Sequence, residues 1–149
     1  MNLFMKVTAF LNGLLLVRFV VSKFMAWPVS VEAFIKMAQP IGLDPTMFRL
    51  TTGVIILSAC LAYFTNFYLL ITGKVKENTK ALIYSVFFNC YGIGVMIGAL
   101  SAEFLLRDHA KVPLVIIALF ILITSTINVL YLRKFGISKS LKLFSTSAK

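Results

Sequence analysis

The chain has 149 residues, 60% of them hydrophobic, with a formal net charge of +10 and a mean hydropathy of +0.94. That composition excludes an ordinary soluble domain, and the short segments between apolar stretches leave no room for a soluble catalytic domain. A nucleic-acid role would interleave aromatic with basic residues on an exposed face, whereas the basic C-terminal stretch offers only Phe135 and Phe144.

Four apolar stretches, over 3–26, 48–72, 81–106 and 112–132, are each long enough to cross a bilayer, since a hydrocarbon core of about 30 Å needs roughly 20 helical residues. The first carries Asn12, Gly13, Arg18 and Lys23 and lacks a small-residue cleavage site, so it reads as a retained span. Trp27-Pro28 marks its interface. Residues 29–38 then place Val31, Phe34, Ile35 and Ala38 on one helical face and Glu32 and Lys36 on another, a short amphipathic helix on the outer surface. Asp44 and Pro45 supply an N-cap and a first helical residue for the second span. The loop over 74–80 is short enough to make the second and third spans antiparallel neighbours.

The third span contains Gly92, Gly94 and Gly98. Gly94 and Gly98 form a G-x-x-x-G step that lets another helix backbone approach; without a preceding strand it is no phosphate-binding loop. Asn89 and Tyr91 add polar groups to this span. Arg107 to Lys111 forms a second outer loop, and Pro113 opens the fourth span. Thr124, Ser125, Thr126 and Asn128 give that span a polar stripe for bonding across helices. The expected fold is therefore an all-α membrane protein: a single antiparallel bundle of four transmembrane helices over 1–132, and a basic tail over 133–149 resting on anionic lipid.

Charge sets the orientation. One side holds Lys6, Lys74, Lys76, Lys80, Arg133, Lys134, Lys139, Lys142 and Lys149 against Glu77. The other mixes Lys23, Lys36, Arg49, Arg107 and Lys111 with Glu32, Asp44 and Asp108. The positive-inside rule then puts both termini in the cytoplasm.

Ionisable residues within a span are costly and point to sites. Arg18, Lys23 and Glu103 are expected to line a polar pocket between the first and third spans, opening outward. Such a pocket suits a polar headgroup, a quinone ring or a partner's charged side chain; the competing reading has Lys23 snorkelling, Glu103 in the headgroups and Arg18 as a structural tie. Cys60 and Cys90 fall at comparable depth, which permits a redox pair as well as simple packing. His109 is the only histidine, and no metal-ligand spacing, nucleophile elbow or P-loop appears.

Gly13 to Val17 followed by Ser22-Lys23-Phe24, then Trp27-Pro28, Phe34, Gly42-Leu43-Asp44-Pro45, Phe48 and Gly53, resembles the first half of DoxX-like membrane proteins over about 11–61. The resemblance implies four helices with both termini cytoplasmic, in a bacterial inner membrane. It also implies a role near redox or assembly complexes, with quinone as the cofactor to consider. The expectation is an accessory, anchoring or assembly subunit that binds lipid and a protein partner or a second copy of itself. The alternatives are a quinone- or thiol-linked oxidoreductase component and a small oligomeric transporter or channel.

Overall fold

The computed structural model describes residues 3–107 and 111–147, with side chains through 137. The expectations for Asp108 and His109, and for the side chains of the distal tail, fall outside the described residues. Six α-helices follow one another: α1 (Leu3–Phe24), α2 (Pro28–Ala38), α3 (Pro45–Ile71), α4 (Lys74–Glu77), α5 (Thr79–Leu105) and α6 (Val112–Ser147). Helices α1, α3 and α5, with the Val112–Ile137 part of α6, are long and apolar enough to cross a membrane. The chain is thus an all-helical, multi-pass membrane protein. Only 28–39% of the most apolar window of each span is buried within the chain, so most of each helix surface is left for lipid.

The boundaries have local causes. The Asp44 carboxylate accepts from the Met47 amide at 2.7 Å and caps α3, with Pro45 in its first turn. The Asn78 side chain caps α5 through the Lys80 amide. Gly73, at φ 75°, takes the left-handed turn that reverses the chain after α3. Ala26 does the same after α1 at φ 50°, where an L side chain is strained. Trp27 N–H then closes back onto Ser22 O at 3.1 Å, as in a Schellman cap. No proline interrupts the sequence after Pro113, and α6 runs on unbroken to Ser147. The tail expected over 133–149 is therefore largely a helical continuation of the last span.

Around the bundle the order is α1, α3, α5, α6, with α1 packed along α3 and α5 along α6. Helices α1 and α6 meet along the thinnest seam, and α1 and α5 stand diagonally opposite. Helix α2 lies across the end of the bundle opposite the termini (outer meaning only away from the termini), mainly on α3. It buries Ser30, Phe34, Met37 and Ala38, a face rotated by about one residue from the expected one. Ile35, at 50% exposure, points away from the bundle.

The interior is layered. Met5, Ala9, Leu70, Val75, Leu82 and Leu132 close the end that carries both termini. Leu16, Ile56, Ala59, Cys60, Met96 and Ile121 fill the outer half. Between these two apolar plugs lies a layer of buried amides and hydroxyls, and beyond the outer plug lies a cluster of charges.

Candidate functional site

The neutral layer draws on all four spanning helices. Asn12 of α1 donates to Thr124 Oγ1 at 3.1 Å, and Asn128 of α6 donates to Thr8 Oγ1 at 3.0 Å. Tyr63 of α3 and Ser125 of α6 share a hydroxyl bond of 2.6 Å. Ser85 of α5 donates to Asn66 Oδ1, and Asn89 donates to the Ser85 carbonyl at 2.8 Å. Asn12, Asn66, Ser85, Asn89, Ser125 and Asn128 are fully buried. In a low-dielectric surround a buried amide gains from a partner, so the Asn12–Thr124 and Asn128–Thr8 bonds fix helix register at the thin α1–α6 seam, while the Asn66 amide nitrogen has no partner among the described residues. The expected polar stripe of α6 divides by angle. Thr124, Ser125 and Asn128 face inward, whereas exposed Thr126 bonds its own Leu122 carbonyl at 2.8 Å. With apolar plugs on both sides, the layer is a buckle between helices.

The charged cluster sits at the outer end, where four helices and a loop converge. Lys23, at the end of α1, is 9% exposed and Glu103, near the end of α5, is 3% exposed. They interact electrostatically across the bundle axis without forming an ion pair. Glu103 pairs instead with Arg107, at 2.5 Å. The same carboxylate oxygen accepts from the Lys111 amide at 2.7 Å, which ties the α5–α6 loop back onto α5. The Lys23 ammonium lies 4.5 Å from the centre of the Phe34 ring, and Phe34 meets Phe48 edge to face at 5.1 Å. Helix α2 thereby covers the cation with an aromatic face.

Arg49 completes the cluster and is absent from the sequence-based set. It is 8% exposed, and its guanidinium donates to the Lys23 carbonyl, one of the unpaired carbonyls at the C-terminus of α1. Its position one turn into α3 is the signal that distinguishes it from a loop charge. Among the described side chains, the charged neighbours of Lys23 are thus the Glu103 carboxylate and the guanidinium groups of Arg49 and Arg107. Ser30, one turn before Phe34 on the same buried face of α2, has no protein partner for its hydroxyl among the described residues.

Arg18 does not belong to this cluster. It is exposed on the lipid side of α1. Five residues separate it from Lys23, which turns it about 140° around the helix. Of the three residues expected to line a pocket, Lys23 and Glu103 therefore come together, packed with Arg49, Arg107 and Phe34, and Arg18 stands apart.

Two further expectations are revised by side-chain direction. Cys60 is buried and donates to the Gly13 carbonyl at 3.4 Å, whereas Cys90 is exposed on α5. Mild oxidation of the protein in micelles should therefore produce no intrachain disulfide, read as unchanged mobility on a non-reducing gel; a faster, reductant-sensitive band would overturn this. Gly94 and Gly98 meet nothing of their own chain, since a Cβ built on either finds open space within 4 Å. The close internal approach is at Gly92 instead, where a Cβ would fall 1.9 Å from the Tyr63 hydroxyl. Among the described residues, no three His, Cys, Asp or Glu side chains gather as a metal site would require.

These features define a four-helix integral membrane protein with a neutral buckle, a charged outer clasp and an open glycine face on α5. No family model, curated protein or solved structure matches the chain.

Proposed function

We propose that the chain is an accessory, anchoring or assembly subunit of a membrane-associated complex, working by binding and not by catalysis. The observation that carries this reading is the unfilled Gly94–Gly98 face. Glycine inside a span weakens the helix and is useful where another backbone approaches closely. No helix of this chain does so there, and a transmembrane helix of a partner, or of a second copy, fits that surface. The outer clasp, buried beneath α2 and the loop, holds together the ends of α1, α3 and α5 that frame this surface. The uneven charge of the two ends supports cytoplasmic termini in a bacterial inner membrane, and the DoxX-like resemblance of the first half supports a redox-linked complex.

Affinity purification in mild detergent, with mass spectrometry of bound proteins, tests the proposal. Wild-type protein should retain a specific membrane partner or itself. The Gly94→Leu, Gly98→Leu double variant should lose that partner at least tenfold, with an unfolding midpoint close to wild type, because a Cβ at either position has open space around it. A partner kept at wild-type levels by the double variant would reject the glycine face as the contact.

A further inference from the structure

A groove of about 760 Å³ runs between α5 and α6 on the half of the bundle that carries the termini. Its walls are apolar, including Leu82, Val86 and Phe87 of α5 and Val129 and Ile137 of α6. It opens outward, since Phe87 is 59% and Ile137 54% exposed. Gly136 lies in its lining, and a Cβ there would stand 3.2 Å from Leu82, so the two helices close tightly beneath its mouth. The single charged lining residue is Arg133. Among the described residues its guanidinium has neither a hydrogen-bond acceptor nor a carboxylate partner.

We propose that this groove is a specific site for an anionic phospholipid of the leaflet facing the termini, one acyl chain along the α5–α6 groove and its phosphate on Arg133. Length selects the occupant. Eight residues separate Leu82 from Cys90, and eight separate Val129 from Ile137, so the groove is about 12 Å long. That is less than half of what a crossing helix needs, whereas an acyl chain enters beside Arg133, four residues from either end of the α6 wall, and continues past Val129 into the bilayer. Charge selects the headgroup. At this end Lys6, Lys74, Lys76, Lys80, Arg133 and Lys134 face a single described carboxylate, Glu77, so a headgroup with net negative charge is favoured over a zwitterionic one. Arg133 differs from the other cations because it stands at the groove itself, where a guanidinium fork holds a phosphate in a fixed position.

The site lies on the termini side of the glycine face, with Cys90 one turn before Gly94, and is tested without any protein partner. The full chain, purified in mild detergent, is titrated with phosphatidylglycerol and with phosphatidylcholine of the same acyl chains and followed by native mass spectrometry. One phosphatidylglycerol should bind about fivefold or more tightly than phosphatidylcholine, the effect of one well-placed cation. Arg133→Gln should abolish that preference, whereas Lys134→Gln, exposed and outside the groove, should leave it nearly intact. Cys90→Trp, which fills the inner end of the groove, should lower binding of both lipids while the unfolding midpoint stays unchanged. Equal affinities for the two lipids would overturn the proposal. So would equal losses in the Arg133 and Lys134 variants, which would mean diffuse attraction to a basic surface, or undiminished binding in the Cys90 variant.

Discussion

Replacing Glu103 by glutamine should destabilise the protein by about 3 kcal/mol or more, the scale for removing one partner of a buried ion pair. Glutamine keeps an oxygen to accept from the Lys111 amide and drops only the charge, which isolates the electrostatic part. With that charge gone, Lys23, Arg49 and Arg107 are left close together at one end of the bundle, with Glu103 no longer opposing them. The loss should appear as a lower midpoint in detergent-mixture unfolding. It should shrink when Lys23→Met is combined with Glu103→Gln, because one of the uncompensated cations is then removed too. Association with a membrane partner should weaken in the single variant if the clasp holds together the helix ends that frame the recognition surface. Unchanged stability together with unchanged association would remove Glu103 from any role in the site.

Gly92→Ala should rank among the costliest one-methyl additions in the bundle. The new carbon would lie 1.9 Å from the Tyr63 hydroxyl and 2.4 Å from the ring carbon that bears it, so the ring must move. Tyr63 is fully buried and has no free space to take up, and moving it breaks the 2.6 Å bond to Ser125 that joins α3 to α6. Overpacking costs about 1–3 kcal/mol, and an interhelical hydrogen bond in a membrane about 1 kcal/mol, for a combined loss of about 2–4 kcal/mol. In a Tyr63→Phe background the same alanine should cost less, because the closest atom and its bond are already gone. A Gly92→Ala protein as stable as wild type would show that α5 stands farther from α3 than described.

What the sequence discloses here follows the range of each signal. Span number and length rest on composition alone, and all four spans are present. The direction a side chain takes depends on helix rotation: the charge of Arg18 points to the interior, although its angle turns it to lipid. Arg49 was counted with the outer charges, yet it reaches back to the α1 carbonyl end once α3 is known to start at Pro45. The rotated face of α2 has a similar origin: Ser30 carries no hydrophobic signal, so the pattern favoured Ile35. Among the glycines, the motif spacing drew attention to Gly94 and Gly98, whereas Gly92 matters internally because of an aromatic residue 29 positions earlier. Pairings such as Asn12 with Thr124 are long-range facts. Only the polarity of each partner was legible beforehand.

The neutral buckle has an electrical consequence. A membrane potential does work on charges that lie or move within its field, about 2.3 kcal/mol per elementary charge per 100 mV. The amides and hydroxyls of Asn12, Tyr63, Asn66, Ser85, Asn89, Thr124, Ser125 and Asn128 carry none. The contacts that set helix register are therefore blind to voltage. A change of membrane potential does no work on this layer through net charge, and any voltage dependence would enter through Lys23, Arg49 and Glu103 at the ends of the spans.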